Sequence, residues 1–151
     1  MVIAAQGYME GEASGTALVL AVPLSFWGGV DVESGRIIDH SHPDAGLIIS
    51  GRILVMPGAR GSSSSSSVFA ESIRRGTGPI GIVLAVPDPI LTVGALVAES
   101  LYGRRCPLVV CPIAGLVTGQ LLTVRSGRDG AAEVTWVRSD SCGVSDAGIK
   151  I

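Results

Sequence analysis

The sequence predicts a mixed α/β domain, with a small βαβαβ centre and additional β-strands flanking it. Two observations carry that expectation. Between residues 52 and 111, three short apolar runs, each bounded by Pro or Gly, alternate with two amphipathic stretches. Outside that region the apolar pieces are short and β-like, and two of them form a hairpin signature. With 21 Gly and 8 Pro among 151 residues and only 4% aromatics, the composition suits tight turns and an aliphatic core rather than long helices.

Thr16 to Val22 is a strand candidate, and Arg36-Ile37-Ile38 and Leu47-Ile48-Ile49 are short apolar pieces between turns. Arg52 to Pro57 reads as a buried strand stopped by Pro57 and Gly58. The spacing predicts a short helix over Val68–Arg75. Phe69 and Ile73 share its face, Arg74 and Arg75 sit at the negative end of the dipole, and Gly76 provides the stop. Ile80 to Val86 is the second strand. Asp88-Pro89 then opens a helix that runs to Tyr102 and Gly103, with Asp as N-cap and Pro at the first helical position. Pro107 to Cys111 is the third strand. Short links between these elements imply parallel strands joined by crossovers. Leu121–Val124 and Glu133–Val137 flank Ser126-Gly127-Arg128-Asp129-Gly130 as a hairpin, with Trp136 as a packing residue. The domain is expected over residues 1–137, with a loose polar tail over 138–151.

The formal net charge is −2 with no Lys/Arg block, so no basic stripe is available for nucleic acid. The apolar runs fall short of the ~20 residues that span a bilayer, and no secretory leader is visible. Cys106, Cys111 and Cys142 make an odd number without Cys-x-x-Cys spacing, which fits free thiols in a reducing cytoplasm.

Six consecutive serines, Ser62 to Ser67, follow Arg60-Gly61. A low-complexity linker is one reading. The flanks argue for another, because a strand and an amphipathic helix on either side belong to one βαβ unit. In that case the serines form the turn into the helix, with one of them capping it. Unpaired N–H groups and the dipole would favour an anion there. A serine hydroxyl is a feeble base unless its alkoxide is stabilised, and helix-end N–H groups with Arg60 nearby could do so. The run lacks the Walker Lys and the Gly-x-Ser-x-Gly elbow.

Pro23 to Asp31 (PLSFWGGVD) breaks the preceding strand with two aromatics, two glycines and an acid. Phe26 reads as a core plug, while Ser25, Gly28, Gly29 and Asp31 suggest a loop packed on a ligand or partner. His40, His42 and Asp44 make an incomplete ligand set, and no metal site is assigned to this chain. Asp39, His40 and His42 could instead line a subunit contact.

Three stretches together resemble the small-subunit domain of the aconitase X family: PLSFWGGVD at Pro23–Asp31, GRILVMP at Gly51–Pro57, and Arg60-Gly61-Ser62-Ser63-Ser64. Gly94 to Ala98 fits as well, and the likeness covers roughly Gly11 to Val137. The resemblance implies a swivelling β/β/α domain of aconitase type that closes over a larger catalytic subunit. That subunit would carry the iron–sulfur cluster and much of the site for a small hydroxy-acid substrate. It further implies that Ser62 is the proton acceptor, and that the reaction is dehydration. Cis-3-hydroxy-L-proline is the expected substrate and phosphomevalonate the alternative; a non-catalytic anion-binding module is the competing class. Arg60, Gly61, Ser63, Ser25 and Asp31 are the expected supporting residues. Where aconitases proper have a substrate-binding Arg, this chain has Ser64, and where many relatives have Pro it has Val32.

Overall fold

The computed structural model describes residues 1–137, so the tail expected from Arg138 lies outside the described residues. Seven strands and two helices follow one another as β1 (Val2–Met9), β2 (Gly11–Val19), β3 (Ile53–Met56), α1 (Ser65–Arg75), β4 (Gly81–Leu84), α2 (Pro89–Tyr102), β5 (Leu108–Val110), β6 (Leu121–Ser126) and β7 (Ala131–Trp136). The strands close into a barrel in the order β1-β5-β4-β3-β2-β6-β7, and β7 returns to β1. Strands β2, β3, β4 and β5 are parallel neighbours, whereas β1, β6 and β7 pair antiparallel.

The expected βαβαβ centre is present as β3-α1-β4-α2-β5. Strands β3 and β4 are buried on both faces, which is why they read as continuous apolar runs. Alternate side chains divide two cores. Ile53, Val55, Val83 and Val109 point into the barrel with Ala17, Leu122, Val124 and Val134. Leu54, Met56, Ile82, Leu84 and Leu108 point outward to Phe69, Ile73, Leu91, Ala95 and Ala98 of the helices. Trp136 packs on the barrel interior, as its alternation with Val134 implies.

Asp88 caps α2 as expected: its Oδ1 accepts the Leu91 N–H at 3.0 Å, and Pro89 follows at the first helical position. Gly94 lets the two helices approach. A Cβ there would sit 2.7 Å from the Ser66 carbonyl oxygen and 2.9 Å from Phe69 Cδ2.

Three features differ from expectation. The first helix starts at Ser65, not Val68, because three serines continue it: Ser66 and Ser67 hydroxyls donate to the Ser63 and Ser64 carbonyls at 2.8 and 2.9 Å. The first strand of the parallel set is Gly11–Val19 rather than Thr16–Val22; its small polar residues have little β-propensity and are held by register pairing with β6. The N-terminal strand β1 was not expected. It carries Ala and Gly at several positions and owes its conformation to pairing with β5 and β7.

Cys106 and Cys111 are free and buried; Cys142 lies outside the described residues. Burial pushes the Cys106 thiol up to about 12. The stability this thiol lends the fold is therefore intact below its ordinary value of 9.0 and is lost as pH climbs toward about 12. At pH 8, peptide mass mapping after iodoacetamide treatment should find Cys106 unmodified in the folded chain and modified after denaturation. Labelling of the native chain would contradict its burial.

Candidate active site

The loops that follow β2, β3 and β4 gather at one rim of the barrel, where the parallel strands end. Such rims are the usual binding end of parallel sheets. A parallel bridge between Leu24 and Ala59 joins the first two loops, and the Arg60 N–H reaches the Leu24 carbonyl at 3.5 Å. This bridge brings the Ser25 loop and the Gly61-Ser62 turn together, though 36 residues separate Ser25 from Gly61 in the chain.

Gly61 has φ +112°, and a Cβ on it would lie 2.2 Å from Ser25 Oγ and 3.1 Å from Ser65 Oγ. Only glycine fits so close a crossing with that backbone. Beneath it, Phe26 is fully buried against Phe69, with ring centroids 4.9 Å apart. Phe26 is thus the core plug expected from sequence. Trp27 next to it is 60% exposed and stands on the same rim.

The six serines fall into two groups, a division that six identical letters cannot show. Ser65 is buried; Ser66 and Ser67 spend their hydroxyls on carbonyls of the preceding turn. Ser62, Ser63 and Ser64 are exposed, and among the described residues their hydroxyls make no hydrogen bond. The backbone N–H groups of Gly61, Ser62, Ser63 and Ser64 are likewise without partners among the described residues. They precede the first turn of an 11-residue helix, whose dipole is positive at this end. The expected serine cap is not formed. Ser64 occupies the capping position with φ −63° and ψ −18°, already helical, so its hydroxyl accepts no N–H of the first turn.

The remaining residues singled out from sequence have varied placements. The Ser25 hydroxyl points inward, donating to the Trp27 carbonyl at 2.9 Å. Its part is to support the turn. The exposed Arg60 guanidinium pairs with Asp39 at 3.4 Å, and Asp39 is fixed in turn by the Ser41 hydroxyl at 2.6 Å and the Ser41 N–H at 2.9 Å. Those bonds, with Arg60 beside it, hold the Asp39 carboxyl below the usual carboxylate range. The Asp31 carboxylate is engaged in its own turn, accepting from the Ser34 hydroxyl at 2.7 Å and the Glu33 N–H at 3.1 Å, which lowers it likewise.

His42 is buried, which removes it from an external contact surface. Its Nδ1 accepts the Asp44 N–H at 3.0 Å, so its proton lies on Nε2, which faces the Val22 carbonyl at 3.1 Å. Both ring nitrogens are occupied, and neither is free to serve as a metal ligand or as the base of a serine triad. Among the described residues no three His, Cys, Asp or Glu side chains are grouped to hold a metal ion. Cys106 and Cys111 are buried one by one, with Cys106 Sγ against the Pro79 carbonyl. These residues do not fit an iron–sulfur cluster.

Sequence reasoning missed Ser65 and undervalued Asp39. Asp39 could have been paired with Arg60 only by knowing that residues 21 apart meet at this rim.

The fold is thus that of a closed α/β barrel with an exposed Gly-Ser turn and, among the described residues, spare N–H donors on its strand-end rim. The chain belongs to the aconitase X swivel domain family, whose sequence profile matches residues 2–134. It is similar to the cis-3-hydroxy-L-proline dehydratase of Pseudomonas aeruginosa, at 49% identity over 66% of this chain and 17% of that protein. It is also similar to the phosphomevalonate dehydratase small subunit of Methanopyrus kandleri, at 43% identity over 60% of this chain and 67% of that one. The chain thus spans about a fifth of the length of the relatives named cis-3-hydroxy-L-proline dehydratase, 17% in P. aeruginosa and 21% in Hypocrea jecorina. Among solved structures, Thermococcus kodakaraensis aconitase X superposes with a TM-score of 0.80 at 29% identity, covering 91% of this chain and 99% of that one. The expected swivel-type fold is therefore correct. Among the described residues no helix is long and apolar enough to cross a membrane.

Proposed function

We propose that this chain is the swivel-domain part of a hydro-lyase and that Ser62 supplies the base that removes a proton α to the substrate carboxylate. The observation that carries this reading is the Gly61–Ser64 turn, where three hydroxyls and four N–H groups are unengaged among the described residues. Ser62 is the serine directly after the glycine. Donors fixed in place before the reaction stabilise an alkoxide far better than water that must reorganise. The helix dipole adds to them, and closure against another surface would strengthen both by excluding water. Ser63, exposed next to it, would hydrogen-bond the same oxyanion or the substrate. Arg60, anchored by Asp39, supplies the nearest positive charge on the turn.

The turn lies open on the rim. Clefts of about 530, 330 and 220 Å³ lie toward the opposite end, around Glu10–Glu12, Arg104–Arg105 and Ser126–Gly130, and one of about 570 Å³ lies at the rim end but on the β6–β7 side, lined by Val117–Leu121, Trp136 and Val137; the Gly61–Ser64 turn lines none of these four. A larger chain must therefore complete the site, and we place the substrate-enclosing walls there. An iron–sulfur cluster on that larger chain would act as Lewis acid on the leaving hydroxyl. We assign the assembly to the cytoplasm, where the free thiols of this chain would stay reduced.

Cis-3-hydroxy-L-proline is the preferred substrate. Its single carboxylate asks little of a turn whose one arginine is already paired with Asp39, whereas phosphomevalonate would add a phosphate dianion. The coverage of the Methanopyrus small subunit favours phosphomevalonate as the second reading. Isolation of the chain at native expression level tests both. A larger iron-containing chain should accompany it, and the pair should dehydrate cis-3-hydroxy-L-proline. A stable partnerless chain that binds phosphate would instead identify an anion-binding module.

A further inference from the structure

The polyserine contains a second residue with an assignable part in this chemistry, and this inference rests on the reading of Ser62 as the base. We propose that Ser65 is the positioning residue of the site: its buried hydroxyl locks the Ser25–Trp27 loop to the turn that carries Ser62.

Ser65 is the one buried member of the serine run, at 3% exposure. Its hydroxyl makes two contacts, and a third bond joins the partners of those two. Trp27 N–H donates to Ser65 Oγ at 3.2 Å; Ser25 and Ser65 hydroxyl oxygens are 3.5 Å apart; Ser25 Oγ donates to the Trp27 carbonyl at 2.9 Å. The directions are forced. A carbonyl can only accept, so the single Ser25 proton goes to Trp27 O. The bond between the two serines must then use the Ser65 proton. The result is a closed ring, from Trp27 N–H to Ser65, to Ser25 and back to Trp27 O.

The same residue holds the turn from its other side, since the Ser65 N–H donates to the Ser62 carbonyl at 3.0 Å. Gly61 closes over the ring, its absent Cβ leaving room for both hydroxyls. Ser65 is thus bonded to the loop through its side chain and to Ser62 through its backbone. Loss of the hydroxyl leaves α1 intact but frees the loop against the turn. The base then shifts relative to the substrate while the substrate's own contacts remain.

The test uses Ser65→Ala, Ser65→Thr and Ser25→Ala in the full chain, with Ser62→Ala as benchmark. Without any partner, the Trp27 amide in S65A should exchange with D2O about tenfold faster than in the parent, because its acceptor is gone. S65T, which keeps an acceptor oxygen, should restore slow exchange. With the larger chain present, S65A should lower kcat by about 10–100-fold with KM within about twofold, the pattern of a misplaced group that acts in the transition state. S25A breaks the ring without touching α1 and should show the same kcat-only loss. An unchanged Trp27 amide in S65A, or parental kcat in S65A when S62A is inactive, overturns the inference. Retained activity in S62A would instead overturn the assignment of the base, and the Trp27 exchange result would still decide whether the ring exists.

Discussion

Replacing Ser62 with alanine is expected to abolish turnover while leaving fold and assembly intact. A positioned general base contributes about 10²–10⁴-fold to rate, and this is the loss S62A should display in kcat. The stability side of the comparison makes the variant informative. Ser62 is exposed and its hydroxyl is unengaged among the described residues, so truncation should change stability by no more than about 0.5 kcal/mol. Its backbone carbonyl, which accepts the Ser65 N–H, is unaffected. A melting curve superimposable on the parent, co-purification with the larger chain and a dead enzyme together form the expected result. Full activity in S62A would end the assignment.

The second large effect is expected at Gly61. In Gly61→Ala the new methyl would lie 2.2 Å from Ser25 Oγ, on a backbone at φ +112° that L-residues rarely adopt. The turn must move, and a displacement of about 1 Å in a reacting group costs about 10²-fold in rate. Residual strain should lower stability by about 1–3 kcal/mol, read from a urea or thermal melt. Gly103→Ala separates the two contributions. Gly103 also has positive φ, at +65°, but a Cβ there meets nothing within 4 Å, and it lies at the end of α2 away from the rim. It should cost stability and leave kcat unchanged. Equal kcat losses in G61A and G103A would mean that backbone strain, not the close crossing over Ser25, governs activity.

Local features were legible wherever chemistry differs from one residue to the next. The Asp88-Pro89 helix opening, the Gly76 and Gly103 stops and the hairpin at Ser126–Gly130 all follow from side-chain types at fixed offsets. The double-faced burial of β3 and β4 follows from unbroken apolar runs. What could not be read was non-local or patternless. Closure of the barrel depends on β1, whose Ala, Gln and Gly become a strand only between β5 and β7. The helix start was misplaced because six identical serines carry no periodicity. What distinguishes Ser65 from Ser62 is the approach of Trp27, 38 residues away from Ser65. The candidate site shows the same division. The Gly-Ser turn was visible in sequence, whereas the inward-facing Ser25 hydroxyl, the Asp39 anchor of Arg60 and the self-contained turn of Asp31 appear only once the loops meet.

Ser62 carries one of three exposed hydroxyls on the turn that are unengaged among the described residues, and proton abstraction can be measured apart from water loss. L-Proline lacks the leaving hydroxyl, so in D2O the assembled enzyme can only exchange its α-proton. Exchange followed by NMR for the parent, S62A, S63A and S64A isolates the base. The expected result is exchange in the parent, none in S62A, and a measurable rate in both S63A and S64A. Exchange that persists in S62A and disappears in S63A or S64A would contradict the account by moving the base to a neighbouring serine.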